Sequence, residues 1–174
     1  LIINDGLYQG TCRRAGEIGH VPLGDPDIPC YCGGRSCLEN TASGNGIERM
    51  ARQAGLSTAV KPRTAADVLE MVDSSPTARD VVDRFARGLA AGAGVVMDLL
   101  NPGVLVLSGR LARHAPVFME SFHRELKRIT PPFVLSATPI VVSRLHEDAV
   151  TYGTCARVLH QIFGTAQVSL RQAL

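Results

Sequence analysis

The chain has 174 residues, 45% of them hydrophobic, and a formal net charge of +2, which is enough apolar material for one domain-sized core. Acidic and basic residues nearly balance and no long basic run occurs, so these residues alone are expected to make a poor nucleic-acid-binding module. No stretch approaches the roughly 18 uninterrupted apolar residues of a membrane span and no signal-peptide layout opens the chain, so a cytoplasmic protein without membrane contact is expected.

Leu1–Ile3 and Leu7–Thr11 flank Asn4-Asp5-Gly6, whose Asp-Gly pair tolerates the positive φ of a tight turn, and predict an antiparallel hairpin. Leu1 stands inside an alternating apolar pattern, so these residues are expected to continue a longer protein. Residues 15–45 are rich in Gly, Pro and Cys and lack a sustained helical period, apart from a short strand-like run at His20–Leu23. An irregular stretch of that length is expected to be functional or metal-stapled.

Gly44–Gln53 turns helical, and Thr64-Ala-Ala-Asp67 followed by Val68, Leu69 and Val72 reads as a capped short helix. Ser75-Pro76 is a cap with a first-turn proline, and the apolar spacing that follows predicts a long helix over about 76–100. Asn101-Pro102-Gly103 ends it. Val104–Leu107 is a continuous apolar run typical of a strand covered on both faces. Helix Pro116–Ile129, strand Ile140–Val142 and helix Ala149–Phe163 then complete a βαβα segment over 104–163 with parallel strands, an α/β pattern.

The five cysteines are Cys12, Cys30, Cys32, Cys37 and Cys155. An odd number with three crowded into eight residues fits a secreted disulfide framework poorly. His20, Cys30, Cys32 and Cys37 form H-x9-C-x-C-x4-C, with Gly33 and Gly34 between the last two cysteines. Thiolates and an imidazole at this spacing suit structural Zn²⁺ in a closed tetrahedron, whose net charge of about −1 loop amides can offset. The alternative is a set of reduced buried thiols, or a disulfide between two of them. Cys12 and Cys155 have no second ligand at a workable spacing.

Ala15-Gly16-Glu17-Ile18-Gly19-His20, followed after nine residues by Cys30-Tyr31-Cys32-Gly33-Gly34-Arg35-Ser36-Cys37-Leu38-Glu39 and then Ser43-Gly44, closely resembles the signature of the ROK family, AGEIGH followed by CxCGxxGCLE. That family mixes bacterial sugar kinases with sugar-responsive transcription repressors. Weaker resemblance lies at Asn101-Pro102 and Gly153. It implies one lobe of an actin-like, ribonuclease H-like sugar kinase fold: a mixed sheet with an antiparallel N-terminal hairpin and later parallel strands packed by helices. Residues 1–174 would be the C-terminal lobe, with the N-terminal part of the parent absent.

The resemblance also implies that Glu17, His20 and Glu39 contact sugar hydroxyls. The chemistry is apt: an ionised carboxylate accepts from two neighbouring hydroxyls at roughly 1.5 to 3 kcal/mol per bond. His20 would give one nitrogen to zinc and the other to a hydroxyl. Two departures stand out. Ser108-Gly109-Arg110 replaces the glycine pair that family kinases carry near the nucleotide, and Arg13-Arg14 replaces small residues. The family's aspartate general base and its DxGxT phosphate motif do not occur in these residues, so none is assigned as catalytic.

The expected function is the sugar-sensing effector domain of a repressor, homo-oligomeric by resemblance, with DNA bound only through a helix-turn-helix outside these residues. The alternative is a sugar kinase acting on a hexose or N-acetylhexosamine with ATP and Mg²⁺. A third class is a zinc-stabilised interaction module with no sugar site.

Overall fold

The computed structural model describes residues 1–4 and 6–163, so Asp5 of the expected turn and the last residues of the expected 1–174 lobe lie outside the described residues. Strands β1 (Ile2–Ile3) and β2 (Gly6–Leu7) pair antiparallel, Ile2 opposite Leu7. The expected extension of the second strand to Thr11 does not form. The chain instead turns at Gly10 and Arg13, both at positive φ, and the Ala15 amide bonds back to the Gln9 carbonyl at 2.9 Å.

Helices α1 (Gly44–Gln53), α2 (Ala65–Glu70) and α3 (Pro76–Leu100) follow the motif region. The capping box of α2 forms as expected: Thr64 Oγ1 accepts the Asp67 N–H while Asp67 accepts the Thr64 N–H. Ser75 caps α3 by accepting the Ala78 N–H, and Asn101 ends it in the left-handed conformation at φ 41. At 25 residues, about 37 Å, α3 is the axis on which the rest packs.

Beyond it come β3 (Leu105–Leu107), α4 (Ala115–Ile129), α5 (Pro132–Ala137), β4 (Ile140–Val142) and α6 (Ala149–Phe163). β3 and β4 pair parallel, Leu105 with Ile140 through Leu107 with Val142, so the expected βαβ unit is present. The hairpin and this parallel pair form separate two-stranded sheets. α5 is an addition to the expected elements; Pro132 stands at its first position, where a proline's missing N–H is no loss.

The core gathers where α1, α2 and α4 meet α3. Ile47, Met50, Val68, Leu69, Val81, Val82, Met97 and Phe122 are fully buried or nearly so, each contributing about 1.5–3 kcal/mol for the larger side chains. Phe85 of α3 and Phe118 of α4 meet edge to face with centroids 5.2 Å apart. α6 is different: Val150, Tyr152, Leu159 and Ile162 are all exposed. No helix among the described residues is long and apolar enough to cross a membrane.

Candidate metal centre and ligand site

The segment between the hairpin and α1 is organised by a few long-range backbone bonds. The Gly24 amide donates to the Ser36 carbonyl at 2.6 Å, and the Leu38 amide to the Val21 carbonyl at 3.0 Å. The strand expected at His20–Leu23 is therefore absent: Ile18–His20 is one turn of 3₁₀ helix, and the residues after it bond singly to the returning chain without a ladder. Within the return, Cys30 and Gly34 close a tight turn, Cys30 N–H to Gly34 O at 2.8 Å, with Gly33 at φ 90. Ser36 also takes a left-handed backbone, φ 61, at the place where the usual motif has glycine.

This turn brings His20, Cys30, Cys32 and Cys37 together, with one ligand atom from each lying within 4.8 Å of all the others. Cys32 Sγ and Cys37 Sγ are 3.6 Å apart, and Cys30 Sγ is 3.7 Å from His20 Nδ1. A tetrahedral ion with Zn–S bonds of about 2.3 Å and a Zn–N bond of about 2.0–2.1 Å has S···S edges of about 3.8 Å and S···N edges of about 3.5 Å, so these spacings fit a metal of that size. The group can hold a metal ion. Cys12 and Cys155 are free and exposed.

The thiols are electrostatically unequal. Burial pushes the Cys37 thiol up to about 12, reinforced by the neighbouring Cys32 and Cys30 sulfurs. The Gly34 amide, 3.4 Å from Cys32 Sγ, holds the Cys32 thiol below its ordinary value. Three adjacent thiolates repel one another, and a divalent cation at their centre reverses that preference.

With Nδ1 turned toward the sulfurs, His20 directs Nε2 the other way. Glu17 Oε2 lies 3.8 Å from it, and the Tyr31 hydroxyl 3.3 Å from it. Glu39 is half-buried in the 3₁₀ turn Leu38–Asn40. Its carboxylate lies against Gly19, where a Cβ would come 3.1 Å from Glu39 Oε2. The Tyr31 phenol is raised above its ordinary value, by desolvation first and then by the charges of Glu39 and Cys30, with Glu17 contributing as well. The structure thus brings Glu17, His20 and Glu39 to one side of the loop, while Arg13 and Arg14 are exposed.

Residues beyond the cysteine spacing hold this arrangement in place. Ser43 Oγ donates to the Glu39 carbonyl at 2.7 Å and accepts the Gly46 N–H at 3.0 Å, so one side chain both caps α1 and ties down the Glu39 turn. Asn40 Nδ2 donates to the Pro29 carbonyl at 3.3 Å, and Arg49 donates to the Asn40 carbonyl at 2.9 Å. Tyr31 and Asn40 were not among the expected site residues. The only signal for either was its place inside the motif.

A cavity of about 630 Å³ opens on the far side of Glu39, lined by Ser43, Asn45, Thr64, Ser108 and Arg110 among others. Glu17 and His20 do not line it. Glu39 therefore stands between the histidine side and this cavity. Arg113 and Glu147, paired at 2.6 Å, belong to its wall and join the turns that follow β3 and β4.

Comparison with known proteins gives consistent neighbours. A glucokinase of Halalkalibacterium halodurans is 27% identical over 166 residues, 88% of this chain and 50% of that protein. A putative xylose repressor of Caldicellulosiruptor sp. is 24% identical over 169 residues, 91% of this chain and 42% of that protein. The solved ROK family glucokinase of Streptomyces griseus, in complex with glucose and AMPPNP, superposes with a TM-score of 0.78 at 20% identity, covering 89% of this chain and 55% of that one. The chain thus spans about half the length of the proteins it matches, and it shares the actin-like fold of ROK sugar kinases. The family model for the ROK family matches residues 1–161, and the chain belongs to that family.

Proposed function

We propose that this chain is the sugar-sensing lobe of a ROK transcription repressor, in which a structural zinc ion shapes the sugar site. Nδ1 of His20 and the sulfurs of Cys30, Cys32 and Cys37 would hold the ion. When bound, zinc supplies a closed four-coordinate pin and leaves no position for an activated water. Glu17 and Glu39 accept hydrogen bonds from sugar hydroxyls, and His20 donates Nε2–H to another, its tautomer set by the metal on Nδ1.

The observation that carries this reading is the opposed use of the two histidine nitrogens: Nδ1 is 3.7 Å from Cys30 Sγ and Nε2 3.8 Å from the Glu17 carboxylate. A ring oriented that way joins a metal set to a polar binding face. Ser108 and Arg110 line the cavity wall, and the Ser108-Gly109-Arg110 stretch keeps only one glycine of the pair expected in kinases of the family, which favours a repressor over a kinase. The kinase reading draws its support from the cavity beside Glu39 and from the fold shared with the glucose- and AMPPNP-bound glucokinase. In that case ATP and Mg²⁺ are required, and the missing catalytic groups come from outside this chain.

Purified protein should contain about one zinc per chain. Glu39→Gln should fold normally and bind D-glucose, N-acetyl-D-glucosamine or D-xylose roughly tenfold to a hundredfold more weakly, the loss of a charge-assisted bond. Equal binding by Glu39→Gln would remove the sugar site. ATP-dependent turnover of a sugar by the parent protein would replace the repressor reading with the kinase one.

A further inference from the structure

We propose that Tyr31 is a ligand-selecting residue, whose hydroxyl holds the hydrogen-bonding position at His20 Nε2 that a sugar hydroxyl has to take. The inference rests on the sugar-site reading above and adds to it a residue that is not one of the four ligands of the cysteine motif.

His20 Nδ1 faces Cys30 Sγ at 3.7 Å, and a zinc ion held on that nitrogen would leave the ring proton on Nε2. One N–H makes one well-aligned hydrogen bond, and the Tyr31 oxygen stands 3.3 Å away to accept it. That distance lies just beyond the usual N–H···O range of 2.7–3.2 Å, so the bond is a weak one. A sugar hydroxyl that accepts from the same N–H must displace the phenol.

Tyr31 is built to be displaced. Its side chain is 79% exposed and rests edge-on against the His20 ring with centroids 5.3 Å apart. Its backbone is fixed between Cys30 and Cys32, so rotation about χ1 and χ2 is the movement available, and it uncovers little apolar surface. The consequence is selectivity. A ligand that offers His20 a single hydroxyl exchanges one hydrogen bond for another and gains nothing. A ligand with adjacent hydroxyls, one on Nε2 and one on the Glu17 carboxylate 3.8 Å from it, gains the charge-assisted bond in addition.

The test uses zinc-loaded protein with D-glucose, N-acetyl-D-glucosamine and D-xylose, measured by calorimetry and stopped-flow fluorescence, on wild type, Tyr31→Phe and Glu39→Gln. Tyr31→Phe keeps the ring and should bind about fivefold more tightly, the equilibrium factor of one net hydrogen bond. The gain should appear in the association rate with dissociation unchanged, because the competent state is already populated. Binding detected in Tyr31→Phe alone supports the proposal equally. Unchanged or weaker binding in Tyr31→Phe, while Glu39→Gln still weakens it, overturns the role of Tyr31 and leaves the sugar site standing. If neither wild type nor Tyr31→Phe binds any of the three sugars, or if Glu39→Gln binds like wild type, the sugar-site reading itself fails and this inference with it.

Discussion

A methyl group on Gly92 would come 2.5 Å from Leu38 Cδ2, so the long helix and the turn carrying Glu39 meet where a side chain on the helix finds no room. Gly88, one turn earlier, has the same relationship to Thr41, with a Cβ position 2.9 Å from its Cγ2. The bare helix surface at these two positions seats the end of the cysteine loop directly on the core.

Gly92→Ala sets two effects against each other. Helix propensity improves by roughly 1 kcal/mol, while overpacking against Leu38, only 4% exposed, costs about 1–3 kcal/mol. The expected outcome is a net loss near 1 kcal/mol, read as a lower denaturant midpoint with unchanged slope. Metal retention should weaken with it, because Leu38 directly follows the ligand Cys37. A variant as stable as wild type would mean that Leu38 moves aside freely.

Cys32→Ser removes one donor of four and should release the metal. Apparent zinc-linked folding energy in small sites is about 10 kcal/mol or more, so residues 15–45 should lose their fixed structure and become the first site of limited proteolysis. The helical core should persist, since Phe85, Phe118 and Phe122 pack without help from the loop. Far-UV circular dichroism is expected to retain most of its helical signal while metal content falls toward zero. Full metal content in this variant would contradict the ligand assignment.

Ser36 occupies a left-handed backbone at φ 61, a conformation that costs a non-glycine residue roughly 1–2 kcal/mol. Ser36→Gly removes that strain and pays back part of it in unfolded-chain entropy, roughly 0.5–1 kcal/mol. A gain of about 0.5–1 kcal/mol in stability is predicted, together with unchanged or tighter metal binding. Thermal unfolding of the metal-loaded protein checks it, and a lower melting temperature would show that the Ser36 side chain stabilises the turn in some other way.

What could be read in the sequence was local. Thr64 with Asp67, Ser75 with Pro76, and Asn101 each announce a helix end through a bond made within a few residues, and all three ends are present. The β3 and β4 runs were visible as continuous apolar stretches, but the expected cover on both faces is incomplete, because Val106 in the middle of β3 is exposed. The four ligand types were visible as a spacing, and the structure brings them together. The His20–Leu23 strand failed because the partners of that segment are Ser36 and Leu38, about fifteen residues away, and they supply single bonds to it and no ladder. α5 was missed because its six residues are too few to show a helical period. Tyr31 was passed over because a cysteine spacing draws meaning from the ligands and none from the residue between them.

Whether the metal shapes the sugar site is read from a calorimetric titration of sugar into the same protein with its zinc bound and with its zinc removed by chelation. Binding is predicted in the loaded protein, none in the stripped protein, and recovery when one equivalent of zinc is restored. Equal affinity in the loaded and stripped forms would mean that the sugar site does not depend on the metal.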